Sequence, residues 1–191
     1  MRKGLLVGAL LVSATAFAGS QDRPTLSELT VESRQLAGKI LDQIRGELVA
    51  ELERTGPLRA ILVCKFSAPE ITSRISRLQG MRITRVSLRP RNPALGEADA
   101  WEQQALLDFE TKIAKGAKVE TLEHSEIVVE PAGRYFRYLR AIPAAPPCLV
   151  CHGGNLSEGV KAQLRADYPH DKGANLQAGD LRGAVSIKKE L

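Results

Sequence analysis

Three side chains late in this chain have the types and spacing for cofactor chemistry. Cys148, Cys151 and His152 form C-x-x-C-H within Pro146-Pro147-Cys148-Leu149-Val150-Cys151-His152-Gly153-Gly154. At i and i+3 on a helical turn the two thiols project to one side. They can then add across two vinyl groups on one porphyrin edge. His152 follows at once, so its imidazole can reach the iron. The spacing predicts one covalently attached c-type haem, with His152 as an axial ligand.

Other chemistries use two close thiols. A structural zinc site needs four nitrogen or sulfur ligands. The chain has three Cys and three His in all. A thioredoxin-like redox pair sits in a βαβ setting, whereas this motif follows a Pro-rich loop. A Cys148–Cys151 disulfide leaves His152 without a role.

Compartment supports the haem reading. Met1-Arg2-Lys3, the apolar run Leu5 to Val12 and Ala16-Phe17-Ala18 read as a secretory signal peptide over 1–18. The run is too short to span a bilayer. A soluble periplasmic protein with no membrane span after cleavage is expected, in the compartment where c-type haem is attached. The net charge of +5 falls when Arg2 and Lys3 leave with the leader. So small an excess argues against nucleic acid as partner. If two Cys hold haem, Cys64 remains as an unpaired thiol in an oxidising compartment. Free cysteines are usually buried and inert, and that account of Cys64 stands beside a ligand role. Met81, His124 and His170 are the other side chains able to take a sixth iron position. His124 and His170 read as surface residues, so no enzymatic acid–base site is expected.

The elements that position these residues read as α+β. Residues 24–56 form a long N-terminal helix, with Leu36, Ile40, Ile44, Leu48 and Leu52 at i+4 spacing and Gly56-Pro57 as the stop. The stripe packs on the domain's own core or forms a homodimer seam. An apolar run, Leu58 to Val63, leads to Cys64. Ser67-Ala68-Pro69-Glu70 reads as a capping box opening a helix with Ile71, Ile75 and Leu78 on one face and Gly80 at its end. Met81 to Leu88 is a strand, with Arg82, Arg85, Arg89 and Arg91 in and after it. Those arginines are a solvated face, or one or two pair with haem propionates. Asp99-Ala100-Trp101-Glu102 caps another helix, with Trp101 toward the core. Lys118–Leu122, Glu126–Glu130 and Arg134–Ile142 read as an antiparallel meander with a hairpin at Pro131-Ala132-Gly133. Asn155-Leu156-Ser157-Glu158 caps a helix carrying Val160, Leu164 and Tyr168. Leu181 to Ile187 is a last strand. Clustered strands rather than βαβ alternation predict an antiparallel sheet flanked by helices.

The order of motifs resembles a family of exported c-type haem proteins with a PAS-like fold, long catalogued as a domain of unknown function. The anchors are Cys64 with Ala68-Pro69-Glu70-Ile71; Arg91-Asn92-Pro93; Trp101-Glu102; Arg137-Tyr138-Leu139; Cys148 to Gly153; Tyr168-Pro169-His170-Asp171; and Gly179 to Ser186. The resemblance implies a PAS-like haem domain over 57–191 behind the N-terminal helix. It also implies one haem c held by Cys148 and Cys151, with His152 and Cys64 as axial ligands. Where relatives carry an aromatic residue before Gly-Asp, this chain has Asn175-Leu176-Gln177. Two functions fit. One is one-electron transfer by a periplasmic monohaem cytochrome-like protein. The other is a haem-based redox or gas sensor acting through a partner protein. No transducer helix or kinase follows the domain, which favours the first.

Overall fold

Thr25 opens the first helix. In the computed structural model, which describes residues 23–191, the Thr25 hydroxyl accepts from the Glu28 amide while the Glu28 carboxylate accepts from the Thr25 amide. This capping box starts α1, Leu26–Thr55, two residues after Pro24, which stands just outside the helix. Residues 1–18, read as a signal peptide, lie outside the described residues. The buried stripe of α1 is Leu29, Ser33, Ala37, Ile40, Ile44 and Leu48. Leu36 and Leu52 from the expected row sit half-buried at its edges.

The stripe meets one face of a four-stranded sheet. The strands are β1 Arg82–Val86, β2 Glu123–Glu130, β3 Gly133–Pro143 and β4 Leu181–Glu190, in the order β1-β4-β3-β2 with every pair antiparallel. Side chains alternate between the faces of such a sheet. Phe136, Tyr138, Val185 and Ile187 pack against Leu29, Ala37, Ile40 and Ile44 of α1. Leu139, Ala141 and Ala184 point the other way. They meet Ala105, Leu106 and Phe109 of the helix Ala100–Ala114, which Asp99 and Glu102 cap as expected. The fold is α+β, with an antiparallel sheet between helices.

The segment carrying Cys64 departs from the expectation. The helix α2, Pro57–Leu62, does not end before a new start at Ser67. It runs through a π turn, Val63–Ser67, into α3, Ala68–Gln79. Ser67 has helical dihedrals and its side chain makes no capping hydrogen bond. The reason lies at Pro69, which lacks an N–H for the Lys65 carbonyl four residues back and whose ring crowds that carbonyl. The Ala68 amide reaches Val63, five back, and this wider turn lets the helix pass the proline. Leu78 is 71% exposed; Gly80 turns the chain there and Met81 takes the buried place in the core.

Between β1 and β2 lie the short helix α4, Pro93–Gly96, and α5, Ala100–Ala114. The expected strand Lys118–Leu122 is a single 3-10 turn, Val119–Thr121. Val119 and Leu122 are both buried against α5, and a spacing of three matches the 3-10 period, not the strand period of two. After β3 come α6, Pro146–His152, and α7, Glu158–Asp167, whose cap is Ser157 and not Asn155. Among the described residues no helix is long and apolar enough to cross a membrane.

Candidate functional site

Pro146 and Pro147 start α6, and its seven residues hold the whole C-x-x-C-H motif. His152, its last residue, is buried at 7% exposure. Its Nδ1 donates to the Gly173 carbonyl at 2.6 Å, which places the remaining lone pair on Nε2. The Arg182 Nε lies 3.4 Å from that Nε2. Burial, with the cations Arg182 and Arg91 close by, pushes the imidazole pKa down to about 2. The ring is therefore neutral at ordinary pH, the state in which imidazole ligates a metal.

His152 borders a cavity of about 690 Å³ between α1, the α2–α3 helix, β1 and α6. Cys64, Cys148, Cys151 and His152 all line it. So do Leu41 and Ile44 of α1, Ile83 of β1 and Ile142 of β3. Met81, His124 and His170 do not line it; Met81 is in the core, His124 is half-buried beside Trp101, and His170 is exposed. Of the four side chains considered for a sixth iron position, Cys64 alone among the described residues borders the cavity.

The sequence placed Cys64 just ahead of a helix N-terminus, where amides would favour a thiolate. The structure corrects this: Cys64 is inside the π turn, with helix on both sides. Burial pushes its thiol up, and the guanidinium of Arg85 works against that rise. Burial also raises Cys151, and Cys64 beside it adds to the effect. π turns interrupt α-helices chiefly where side chains must be re-aimed for function. Here the interruption carries the thiol that reaches the cavity.

The arginines divide by role. Arg82 is exposed at the cavity edge, and Arg89 sits outside it, 3.7 Å from Glu110. Arg91 is buried and engaged: its Nε donates to Asp171 at 2.8 Å and its Nη2 to the Cys151 carbonyl at 2.7 Å. Arg85 lines the cavity, and among the described residues it has no carboxylate partner. Arg182 also lines it, and its one side-chain partner among the described residues is His152. Burial lowers both; Arg182 falls to about 10, with Arg91 and Arg85 adding repulsion. Two guanidiniums held in a mostly apolar cavity without counter-anions suit a ligand that is flat and apolar but carries acidic groups.

The other face of the sheet holds a polar cluster that does not border the cavity. Arg137 of β3 is 3% exposed, 2.6 Å from Asp99, 3.4 Å from Glu102 and 3.3 Å from Glu130, with Trp101 stacked on it at 4.5 Å. Trp101 is thus half-buried against the core and away from the cavity, its Nε1 donating to Glu126. No three of the described His, Cys, Asp and Glu side chains are placed to hold a metal ion together, unlike the four-ligand zinc centre weighed above.

A family model now decides the kinship: the Tll0287-like model matches residues 20–189. The chain belongs to the Tll0287-like family. The match begins ahead of α1 and runs into the end of β4. A solved structure, the crystal structure of the cyanobacterial heme-protein Tll0287, shares the fold with a TM-score of 0.62 at 22% identity, over 83% of this chain and 95% of that one. No curated protein matches the chain. Within this Tll0287-like fold, sequence reasoning missed Arg182, the second residue of β4, set between Leu181 and the Gly183-Ala184-Val185 run. It also missed the carbonyl of Gly173, which no side-chain pattern can signal.

Proposed function

We propose that this chain is a periplasmic c-type haem protein that carries one electron. The observation that carries the reading is the cavity wall: two thiols spaced for porphyrin vinyl groups, a neutral imidazole whose Nδ1 is taken by a carbonyl so that Nε2 keeps the lone pair, and a third thiol arriving from another element. A bound haem supplies a one-electron iron couple. The protein supplies the rest. Cys148 and Cys151 would tether the macrocycle. His152 would ligate through the lone pair that Arg182 now engages, and Cys64 would offer the second axial ligand. Arg85 and the released Arg182 would face the two propionates. Haem binding also agrees with the description of the cyanobacterial relative as a heme-protein.

Two axial side chains from separate elements, one on α6 and one on the π turn, favour electron transfer over gas sensing, which needs an open or labile sixth position. The test is the mass of the denatured protein from cells with working c-type assembly. One haem added to the chain supports the reading, and the bare chain mass refutes it. Carbon monoxide binding to the ferrous form would move the reading to a sensor. The export expectation is checked by the same mass, which should begin after Ala18.

A further inference from the structure

Two motifs in the sequence, Arg91-Asn92-Pro93 and Tyr168-Pro169-His170-Asp171, contain none of the residues proposed to bind haem or ligate its iron. The structure joins them into a closed ring of hydrogen bonds around the end of α6. The Arg91 Nη2 donates to the Cys151 carbonyl at 2.7 Å, and its Nε to Asp171 Oδ2 at 2.8 Å. Asp171 Oδ1 accepts from the Gly173 amide at 2.7 Å. The Gly173 carbonyl then accepts from His152 Nδ1 at 2.6 Å. The ring leaves the chain at Cys151 and returns one residue later. The Lys172 amide donates to Pro90 and the Leu176 amide to the His152 carbonyl, pinning the same loop on both sides.

From this geometry we infer that Arg91 and Asp171 are positioning residues for His152, acting through the Gly173 carbonyl. That carbonyl fixes the tautomer and direction of the imidazole, and a strong acceptor at Nδ1 raises the donor strength of Nε2. The carbonyl lies in a loop with no regular structure of its own, so its place depends on what holds Gly173. Asp171 holds the residue's amide, and Arg91, at 7% exposure, holds Asp171. Gly173 must also approach closely: a Cβ there would sit 3.1 Å from the Arg89 carbonyl oxygen and 3.5 Å from the Arg91 amide. Arginine suits the bridging place because its fork reaches two acceptors at once; lysine carries the charge without the fork.

The functional consequence rests on the haem reading, and the experiment separates the two. In the full chain, with or without haem, NMR follows solvent exchange of the His152 Nδ1 proton. Arg91→Lys and Asp171→Asn should each speed it at least tenfold. In the holoprotein both variants should raise the reduction potential, because a less basic imidazole stabilises ferric iron less. Asp167→Asn removes one carboxylate outside the ring, paired with Lys65, and is the charge control. Unchanged proton exchange in both variants overturns the inference. A potential unmoved by the charge-conserving Arg91→Lys does so as well, as does an Asp171→Asn shift no larger than that of Asp167→Asn. A chain that never acquires haem refutes the proposed function, and the proton-exchange comparison still decides the positioning role.

Discussion

Replacing Gly183 with alanine should be among the most damaging small changes in the molecule. Gly183 sits in β4 between Arg182 of the cavity wall and Ala184 of the core, with φ +148°. A Cβ built there would fall 2.3 Å from the Val86 carbonyl oxygen and 3.1 Å from the Ser87 Cβ. Carbon and carbonyl oxygen tolerate an approach of roughly 3.3 Å, so β1 and β4 would have to part by about 1 Å. The obstacle is backbone, which cannot rotate away. Overpacking of this kind costs about 1–3 kcal/mol, and the backbone conformation costs an L-residue about 1–3 kcal/mol more. The total, about 2–6 kcal/mol, is a large part of a typical domain stability of about 5–15 kcal/mol. Urea unfolding of the variant beside the parent measures it. Gly46→Ala is the internal contrast: it lies within α1 with nothing within 4 Å of a built Cβ and should stabilise by about 0.5–1 kcal/mol. A Gly183→Ala protein within about 1 kcal/mol of the parent would refute the steric argument.

Cys64→Ala should alter the ferric spectrum of the holoprotein and admit carbon monoxide or cyanide; an unchanged spectrum excludes sulfur ligation by Cys64. Arg137→Met leaves Glu102, 2% exposed, without its cation, and should cost about 3–5 kcal/mol in urea unfolding. Partial recovery is expected in the double variant with Glu102→Gln, and a cost too small to resolve would show that the cluster is not energetically tied to Arg137. Acid should weaken the fold through two carboxylates. The hydrogen bond from Arg34 holds Glu123 below the usual range, while at Asp99 burial acts upward and is outweighed by the hydrogen bonds from Arg137 and the Glu102 amide. Carboxylates depressed in the folded state stabilise it fully above their unfolded values, roughly pH 4, and lose that contribution as pH falls through the lower folded values. Urea midpoints measured from pH 6 to pH 2.5 should therefore drop, and the drop should be shallower in Glu123→Gln; an identical slope in the variant contradicts the assignment.

The motif, the long helix and all four strands could be read because each has a local cause. C-x-x-C-H has fixed spacing, α1 repeats every three to four residues, and Asp99 and Glu102 form their capping box as written. The errors came where tertiary context overrides a local signal. Ser67-x-x-Glu70 has the letters of a capping box, yet the chain upstream is already helical and the turn has no free end to cap. Val119 and Leu122 belong to a 3-10 turn because α5 buries both. The Asn175-Leu176-Gln177 loop lacks the aromatic residue of the family pattern, yet it still binds the motif. Leu176 is buried and its amide donates to the His152 carbonyl, while Asn175 takes a left-handed φ of 62°, which asparagine tolerates better than most residues. A backbone contact of this kind leaves no trace in residue type. Arg182 was illegible for a related reason: its meaning depends on the cavity that other elements enclose.

The π turn at Val63–Ser67 also bears on how such a site can arise or vanish. A turn of this kind is an α-helix with one residue too many, so removing one codon in this stretch would return the helix to ordinary register. Each residue of an α-helix advances about 100° around the axis. Such a deletion would rotate Cys64 relative to α3 and swing its sulfur off the cavity while the α1–sheet core stayed intact. The second iron ligand proposed above could thus be lost or acquired by a single-codon insertion or deletion, without rebuilding the fold.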